Sequence, residues 1–224
     1  MYLLKKIIIS CFNVWCTSVF LFSRSSEPGR VDIILDNAGF EVVTDLCLAE
    51  FLLTSGLATS IHFHAKAFSW FVSDVTPIDF HHTIQHLMSC NSIYTDFIVK
   101  RWTERLENGS WKLRVHDFWT SPFPYCEMKS RSPDLYDDLS QSKLLIFKGD
   151  LNYRKLLGDL DWPSHTPFAH SLRGFGPAPL MALRTLKADL VTGLREGQAQ
   201  ETGSQDPEWM TNGSWAVIAF SDKQ

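Results

Sequence analysis

The hydrophobic pattern of this chain changes period along its length, and each change predicts an element. Residues 31–35 are a short run of β-formers that stops on Asp36 and Asn37. Beyond Gly39, Val42, Leu46, Ala49 and Leu53 return at helical spacing, and Gly56 stands where that helix should end. Ser60-Ile61-His62-Phe63-His64-Ala65-Lys66 alternates polar and apolar, the pattern of a half-buried strand. Strand, helix and strand in this order predict a right-handed βαβ unit with parallel strands.

An aromatic stretch over residues 67–74 leads into a loop, and Pro77 can open a helix through Ile78, Ile84, Leu87 and Met88. Trp102, Leu106, Trp111, Leu113, Phe118 and Trp119 suggest a helix followed by an extended piece. Pro122, Pro124 and Pro133 mark loops, and Pro133 can start a short helix through Leu135 and Leu139. Leu144-Leu145-Ile146-Phe147 is a further buried strand, ended by Lys148-Gly149-Asp150. Residues 180–189 fit two readings: Leu183, Leu186 and Leu190 suit a helix, and the alternation suits a strand. Residues 197–207 are polar and read as a loop, and residues 215–220 as a last strand. The class is α/β, with one main domain over residues 31–224.

Composition narrows the functions. With 224 residues and 45% hydrophobic content the chain can bury a core. The net charge of -4 gives no electrostatic case for direct nucleic-acid binding. Five cysteines without a CxxC pair suit a reducing compartment and speak against a structural zinc site. Residues 1–30 form an atypical start: Lys5 and Lys6 precede an apolar run over residues 7–22, followed by a polar linker. That run is signal-like but interrupted by Asn13, Cys16, Thr17 and Ser18, and short for a membrane span of about 20 residues. No membrane association is expected unless this segment is an anchor, and the expected location is the cytoplasm or the nucleus.

Polar residues gather where strands end, and ligands of open α/β sheets bind at the carboxyl edge. Asp36 and Asn37 offer hard oxygen ligands to a divalent cation, although either also suits a helix-capping turn. Glu41 falls in the first helical turn, where a carboxylate gains from the helix dipole. Asp74 follows the second strand of the same unit; it or Thr76 can cap the helix begun by Pro77. If Asp74 faces Asp36 across the sheet edge, the two carboxylates repel unless a cation joins them. In Lys148-Gly149-Asp150-Leu151-Asn152-Tyr153-Arg154-Lys155, Gly149 permits close approach of a ligand, and Asn152 and Arg154 supply donors. If Arg184-Thr185-Leu186-Lys187 is a strand, Thr185 and Lys187 share one face, and Lys187 can meet a phosphate as a point charge. His82 and His86 have metal-ligand spacing but no HExxH pattern, and read as surface residues; His62 and His64 read as core-edge residues. No GxSxG, Walker or GxGxxG motif occurs.

Taken in order, Leu35-Asp36-Asn37-Ala38-Gly39-Phe40-Glu41, Ser73-Asp74, Phe147-Lys148-Gly149-Asp150-Leu151-Asn152-Tyr153-Arg154-Lys155 and Arg184-Thr185-Leu186-Lys187 resemble the metal-dependent damage-control phosphatases. The RTxK ending is similar to that of a eukaryotic subgroup assigned both sugar-phosphate phosphatase and acidic-residue methyltransferase activity. The resemblance implies a three-layer α/β/α core with a mainly parallel sheet and a divalent ion, typically manganese, with nickel or cobalt as substitutes. It implies Asp36, Asn37 and Asp74 as metal ligands; for a phosphomonoesterase, Asp150 is the first acid/base candidate to test. Asp36, Asn37, Glu41, Asp150, Leu151, Asn152, Tyr153, Arg154 and Lys187 would line the substrate site. The implied substrates are phosphorylated sugars such as fructose 1-phosphate and fructose 6-phosphate. Two other readings follow: S-adenosylmethionine-dependent methylation of protein glutamate, linked to the DNA damage response, or an inactive fragment. The last arises because residues 1–30 do not resemble the family's N-terminal helical region, so the chain reads as truncated or alternatively started.

Overall fold

Two strands laid side by side in parallel, with a helix between them, begin the architecture. In the computed structural model, which describes residues 6–8, 27–90 and 92–222, β2 (Gly29–Ile34) leads through α1 (Phe40–Thr54) to β3 (Ala58–Ala65). The strands pair in parallel, with Asp32 opposite His62 and Ile34 opposite His64. The chain continues through α2 (Pro77–Met88) and α3 (Ile93–Glu107) to β4 (Trp111–Val115), which pairs with β3. Two 3-10 turns, α4 (Met128–Arg131) and α5 (Pro133–Leu139) then return the chain to the other side of β2. There β5 (Leu144–Lys148) pairs with β2 and opens directly into α6 (Gly149–Leu157).

After the short α7 (Phe168–Ser171), β6 (Leu180–Thr185) adds to β5 in parallel. Past α8 (Gln198–Gln205), β7 (Trp215–Ser221) joins β6 antiparallel, and β1 (Lys6–Ile8) pairs with β7. Among the described residues the sheet has seven strands in the order β1-β7-β6-β5-β2-β3-β4. Connections leave the β2/β5 boundary in opposite directions, so the crevice at the carboxyl ends of those strands is a topological switch point.

Alternation sorts the strand residues into two layers. Val31, Ile33, Ile61, Phe63 and Ile146 face α1, α2 and α3; Ile34, Leu145, Phe147, Ala182 and Val217 face α4 through α7. This is the expected three-layer α/β/α core with a mainly parallel sheet. Local chemistry explains its helices. Thr76 and Asp79 form a reciprocal capping box ahead of α2, with Pro77 in the first turn. Gly158, at φ 74, ends α6 in the left-handed conformation that glycine adopts without penalty.

Several expectations change. Residues 180–185 are a strand, which resolves the ambiguity because β5 and β7 hydrogen-bond to both of its edges. Residues 198–205 are a helix, not a loop: its buried residues, Gln198 and Thr202, are polar and gave no apolar period. The apolar run expected over residues 7–22 lies outside the described residues apart from 7 and 8, as do Cys11 and Cys16. No helix among the described residues is long and apolar enough to cross a membrane.

The strand expected to be half-buried is covered on both faces from Ile61 onward. His62 and His64 are buried beside Asp32 rather than at the core's edge, with the His64 ring edge-on to Trp119. His64 Nε2 lies 2.7 Å from Asp32 Oδ1, Arg30 donates to Asp32 Oδ2 at 2.7 Å and to Asp138 at 3.1 Å, and Ser142 donates to Asp32 as well. Arg30, read as linker, is thus a strand residue that neutralises the buried Asp32 carboxylate and the partly exposed one of Asp138. Burial pushes the Asp32 carboxyl up, but His64, Ser142 and Arg30 outweigh it and leave it below the ordinary range.

Burial lowers His62 from 6.5 to about 4, opposed by Asp32 and helped by Arg30 and Arg114. Between pH 6.5 and 4 the unfolded chain therefore binds a proton at His62 that the folded chain refuses. The stability this group contributes is complete above pH 6.5 and is lost as pH falls towards 4. At pH 5 the loss is about 2 kcal/mol. In urea unfolding at pH 7 and pH 5, His62→Gln is expected to lose about 2 kcal/mol less than wild type on acidification.

Candidate active site at the carboxyl edge of the sheet

Asp36 and Asp74 meet because the loop after β3 zips back onto the end of β2. Val75 N donates to Asp36 O at 2.9 Å, Ala38 N to Ser73 O at 2.7 Å, and Lys66 N to Val75 O at 2.9 Å. Asn37 and Asp74 form an antiparallel bridge. Thr76 caps α2, which leaves the Asp74 side chain to the rim.

Between the two carboxylates lies an ammonium that the sequence reading missed. Lys66 Nζ is 2.9 Å from Asp74 Oδ1 and 3.5 Å from Asp36 Oδ1, with all three side chains buried. Phe71 N donates to the other Asp74 oxygen at 2.8 Å. Asn37 Nδ2 bridges Asp36 Oδ2 at 2.9 Å and Glu41 Oε2 at 2.8 Å, and its amide oxygen accepts from Ser73 at 2.7 Å. Burial raises the Asp36 carboxyl to about 6; Lys66 offsets part of this, while Glu41 and Asp74 add repulsion.

The next strand end supplies Lys148, whose Nζ donates to Asp45 Oδ1 at 2.6 Å and to Glu41 Oε1 at 3.3 Å. Asp45 lies one helical turn beyond Glu41 and was also missed; burial raises its carboxyl to about 6 against the pull of Lys148. At β6, Arg184 is fully buried, donates from Nε to Asp150 Oδ1 at 2.7 Å, and lies 4.5 Å from the centre of the Tyr153 ring. Its other nitrogens donate to the carbonyls of Leu190 and Ala188. Arg184 thereby fixes the direction of the Asp150 carboxyl.

Asp36, Asn37, Glu41, Asp150 and Lys187 line one cavity of about 370 Å³, with Lys148 beside them. Asp74 adjoins it through Asn37 and Lys66. Leu151, Asn152, Tyr153 and Arg154 are directed elsewhere, because successive helical residues point about 100° apart. Asn152 is buried, donates to Lys148 O at 2.8 Å and Leu35 O at 3.1 Å, and accepts from Tyr125 at 2.5 Å. It ties together the ends of β2 and β5. Tyr153 is buried and accepts from Thr192 N. Arg154 makes a bidentate pair with Asp159 at 2.8 and 2.7 Å, beside a separate hollow that Leu151 also lines.

Among the described residues, two groups offer atoms to a cation. Asp32, His62 and Asp138 place ligand-type atoms within 4.8 Å of one another, but the Arg30 guanidinium already contacts both carboxylates there. At the rim, Asp36, Asn37 and Asp74 are hard oxygen donors of the kind that hold magnesium or manganese. Gly149, at φ +80, packs so closely that a Cβ would stand 1.8 Å from Asp36 Oδ2 and 2.6 Å from its Cβ.

The family model for the damage-control phosphatase ARMT1-like domain matches residues 3–202. Among curated relatives, each named damage-control phosphatase ARMT1, the Danio rerio protein is 52% identical over 211 residues, covering 93% of this chain and 47% of the relative. The Mus musculus protein is 49% identical, covering 85% of this chain and 44% of the relative, and the Homo sapiens protein 46%, covering 88% and 45%. The chain spans about half the length of the curated relatives it matches.

Gly149→Ala is expected to push Asp36 out of place and to force a strained backbone, at ~1–3 kcal/mol in denaturant unfolding. The same variant should lose most of any thermal stabilisation that manganese gives the wild type.

Proposed function

The chain belongs to the damage-control phosphatase ARMT1-like domain family, and on that premise we propose that the rim cavity is a metal-dependent phosphomonoesterase site for phosphorylated sugars, fructose 1-phosphate and fructose 6-phosphate being the type. The observation that carries this reading is the division of one cavity between oxygen donors, Asp36, Asn37 and Glu41, and the amines of Lys148 and Lys187. A phosphate monoester needs both: cationic contact to its oxygens and a carboxylate to take a proton. The cavity volume of about 370 Å³ lies within the range of small-molecule sites.

Asp36, Asn37 and Asp74 fit a hard divalent cation by donor type, manganese first and nickel or cobalt as substitutes. When bound, the cation supplies Lewis-acid stabilisation of the phosphoryl group. The chain's own residues supply the rest. Lys187, exposed at the cavity, meets the phosphoryl oxygens as a point charge. Lys148, tethered by Asp45 and Glu41, adds fixed positive charge at the floor. Asp150, oriented by Arg184, accepts the proton of the attacking water. Glu41 and Asn37 keep the Asp36 carboxylate aligned through their shared amide hydrogen bonds.

The deciding experiment is phosphate release from a sugar-phosphate panel, with manganese and with chelator. Manganese-dependent release is expected, and Asp36→Ala should lower it by at least ~10²-fold, since Lewis-acid assistance supplies several kcal/mol. Full turnover by that variant would sink the assignment. Lys187→Ala should weaken kcat/KM by ~10–100-fold, equivalent to ~1.5–3 kcal/mol for a hydrogen bond to a charged group. Calorimetry with S-adenosylmethionine tests the transferase alternative, whose sign would be binding without metal.

A further inference from the structure

Lys66 belongs to none of the motifs that suggested the site, yet it is the cation closest to Asp36 and Asp74 among the described residues. Its position is set by the backbone: Lys66 N donates to Val75 O, and Val75 N to Asp36 O, so the same zip that brings the carboxylates together carries the lysine between them. Its side chain is 3% exposed, and those of Asp36 and Asp74 are 7% and 2% exposed, so water screens the triad weakly. Both Asp74 oxygens have partners: Phe71 N takes Oδ2 and Lys66 takes Oδ1. An incoming cation that uses Asp74 must share an oxygen with Phe71 N at Oδ2 or with Lys66 at Oδ1, and at either it stands close to the ammonium.

We propose that Lys66 is a built-in counter-ion that keeps Asp36 and Asp74 together while the site is metal-free and, by contributing a competing positive charge, lowers the site's affinity for a divalent cation. The proposal rests on the reading of Asp36, Asn37 and Asp74 as cation ligands. Two ionised carboxylates around one ammonium carry one net negative charge, and without the ammonium the ionised pair that a divalent cation binds carries two. Removing the lysine therefore has opposite effects on two measurable quantities. The metal-free fold is weakened, because two buried carboxylates lose their shared partner. The metal-bound state is strengthened relative to it, because the ion meets a more negative site without a rival.

The test uses the full chain as wild type, Lys66→Met, Lys66→Gln and Asp36→Ala. Melting is recorded in chelator, and manganese binding is measured by equilibrium dialysis, without reference to turnover. In chelator, Lys66→Met and Lys66→Gln should melt at least ~5 °C below wild type. Their manganese affinity should rise at least ~tenfold. A variant that folds only when manganese is present is the extreme form of the expected result. Unchanged or weaker manganese binding, or an unchanged melting point in chelator, overturns the proposal. If neither neutral variant folds under either condition, Lys66→Arg decides: a folded protein in chelator supports a role for the charge, and an unfolded one assigns the role to shape and overturns it. The two readings fail separately. Wild-type manganese binding that survives Asp36→Ala removes the metal site itself, whereas binding lost in Asp36→Ala without a gain in the Lys66 variants removes only the counter-ion.

Discussion

Negative charge crowded at one edge of a sheet has to be compensated within the protein, and that constraint organises this rim. Each compensating cation comes from the carboxyl end of a different strand: Lys66 beyond β3 serves Asp36 and Asp74, Lys148 of β5 serves Glu41 and Asp45, and Arg184 of β6 serves Asp150. Parallel strands place their ends on one side, so residues far apart in the chain become neighbours. The site is therefore a product of the sheet order. A carboxylate left without its cation would be protonated or would move, and Asp36 and Asp45, raised to about 6, show how near to that point burial brings them.

The second polar network, around Asp32, shows the same rule without an open cavity. Arg30, His64 and Ser142 surround a carboxylate that has no exposure, between β2 and β3. Here the cation is a guanidinium held between two carboxylates at the start of β2, largely buried. The difference from the rim is access: Asp36 borders a cavity, so its partners can be exchanged for a ligand. A closed network of the Asp32 kind holds strands in register, and an open one of the rim kind leaves its groups accessible to a ligand.

Glycine at the strand–helix junction links these features to the chemistry. Gly149 lets α6 begin against the Asp36 carboxyl, which fixes Asp150 on one side of the cavity while Asn152 ties β5 to β2 beneath it. One helical segment thus divides its labour, with Asp150 toward the cavity, Asn152 and Tyr153 in the core and Arg154 at a separate surface hollow. The resemblance grouped these residues because they are adjacent in sequence, and adjacency along a helix does not give a common direction.

Period and turn chemistry alone determined the βαβ unit, the strand at Leu144–Lys148 and the placement of Asp36, Asn37 and Asp150 at strand ends, because those signals are local. The sequence also held the parity that puts Lys66 on the same face as His62 and His64, although a lone lysine at a strand end carries no label. Only the tertiary structure decided that residues 180–185 are a strand, since their two periods are equal until β5 and β7 offer hydrogen bonds. It alone showed that Arg30 is the partner of the buried Asp32, and that a polar segment at 198–205 is helical. Pairing between charges distant in the chain has no period to read, so which lysine meets which carboxylate was settled by the fold.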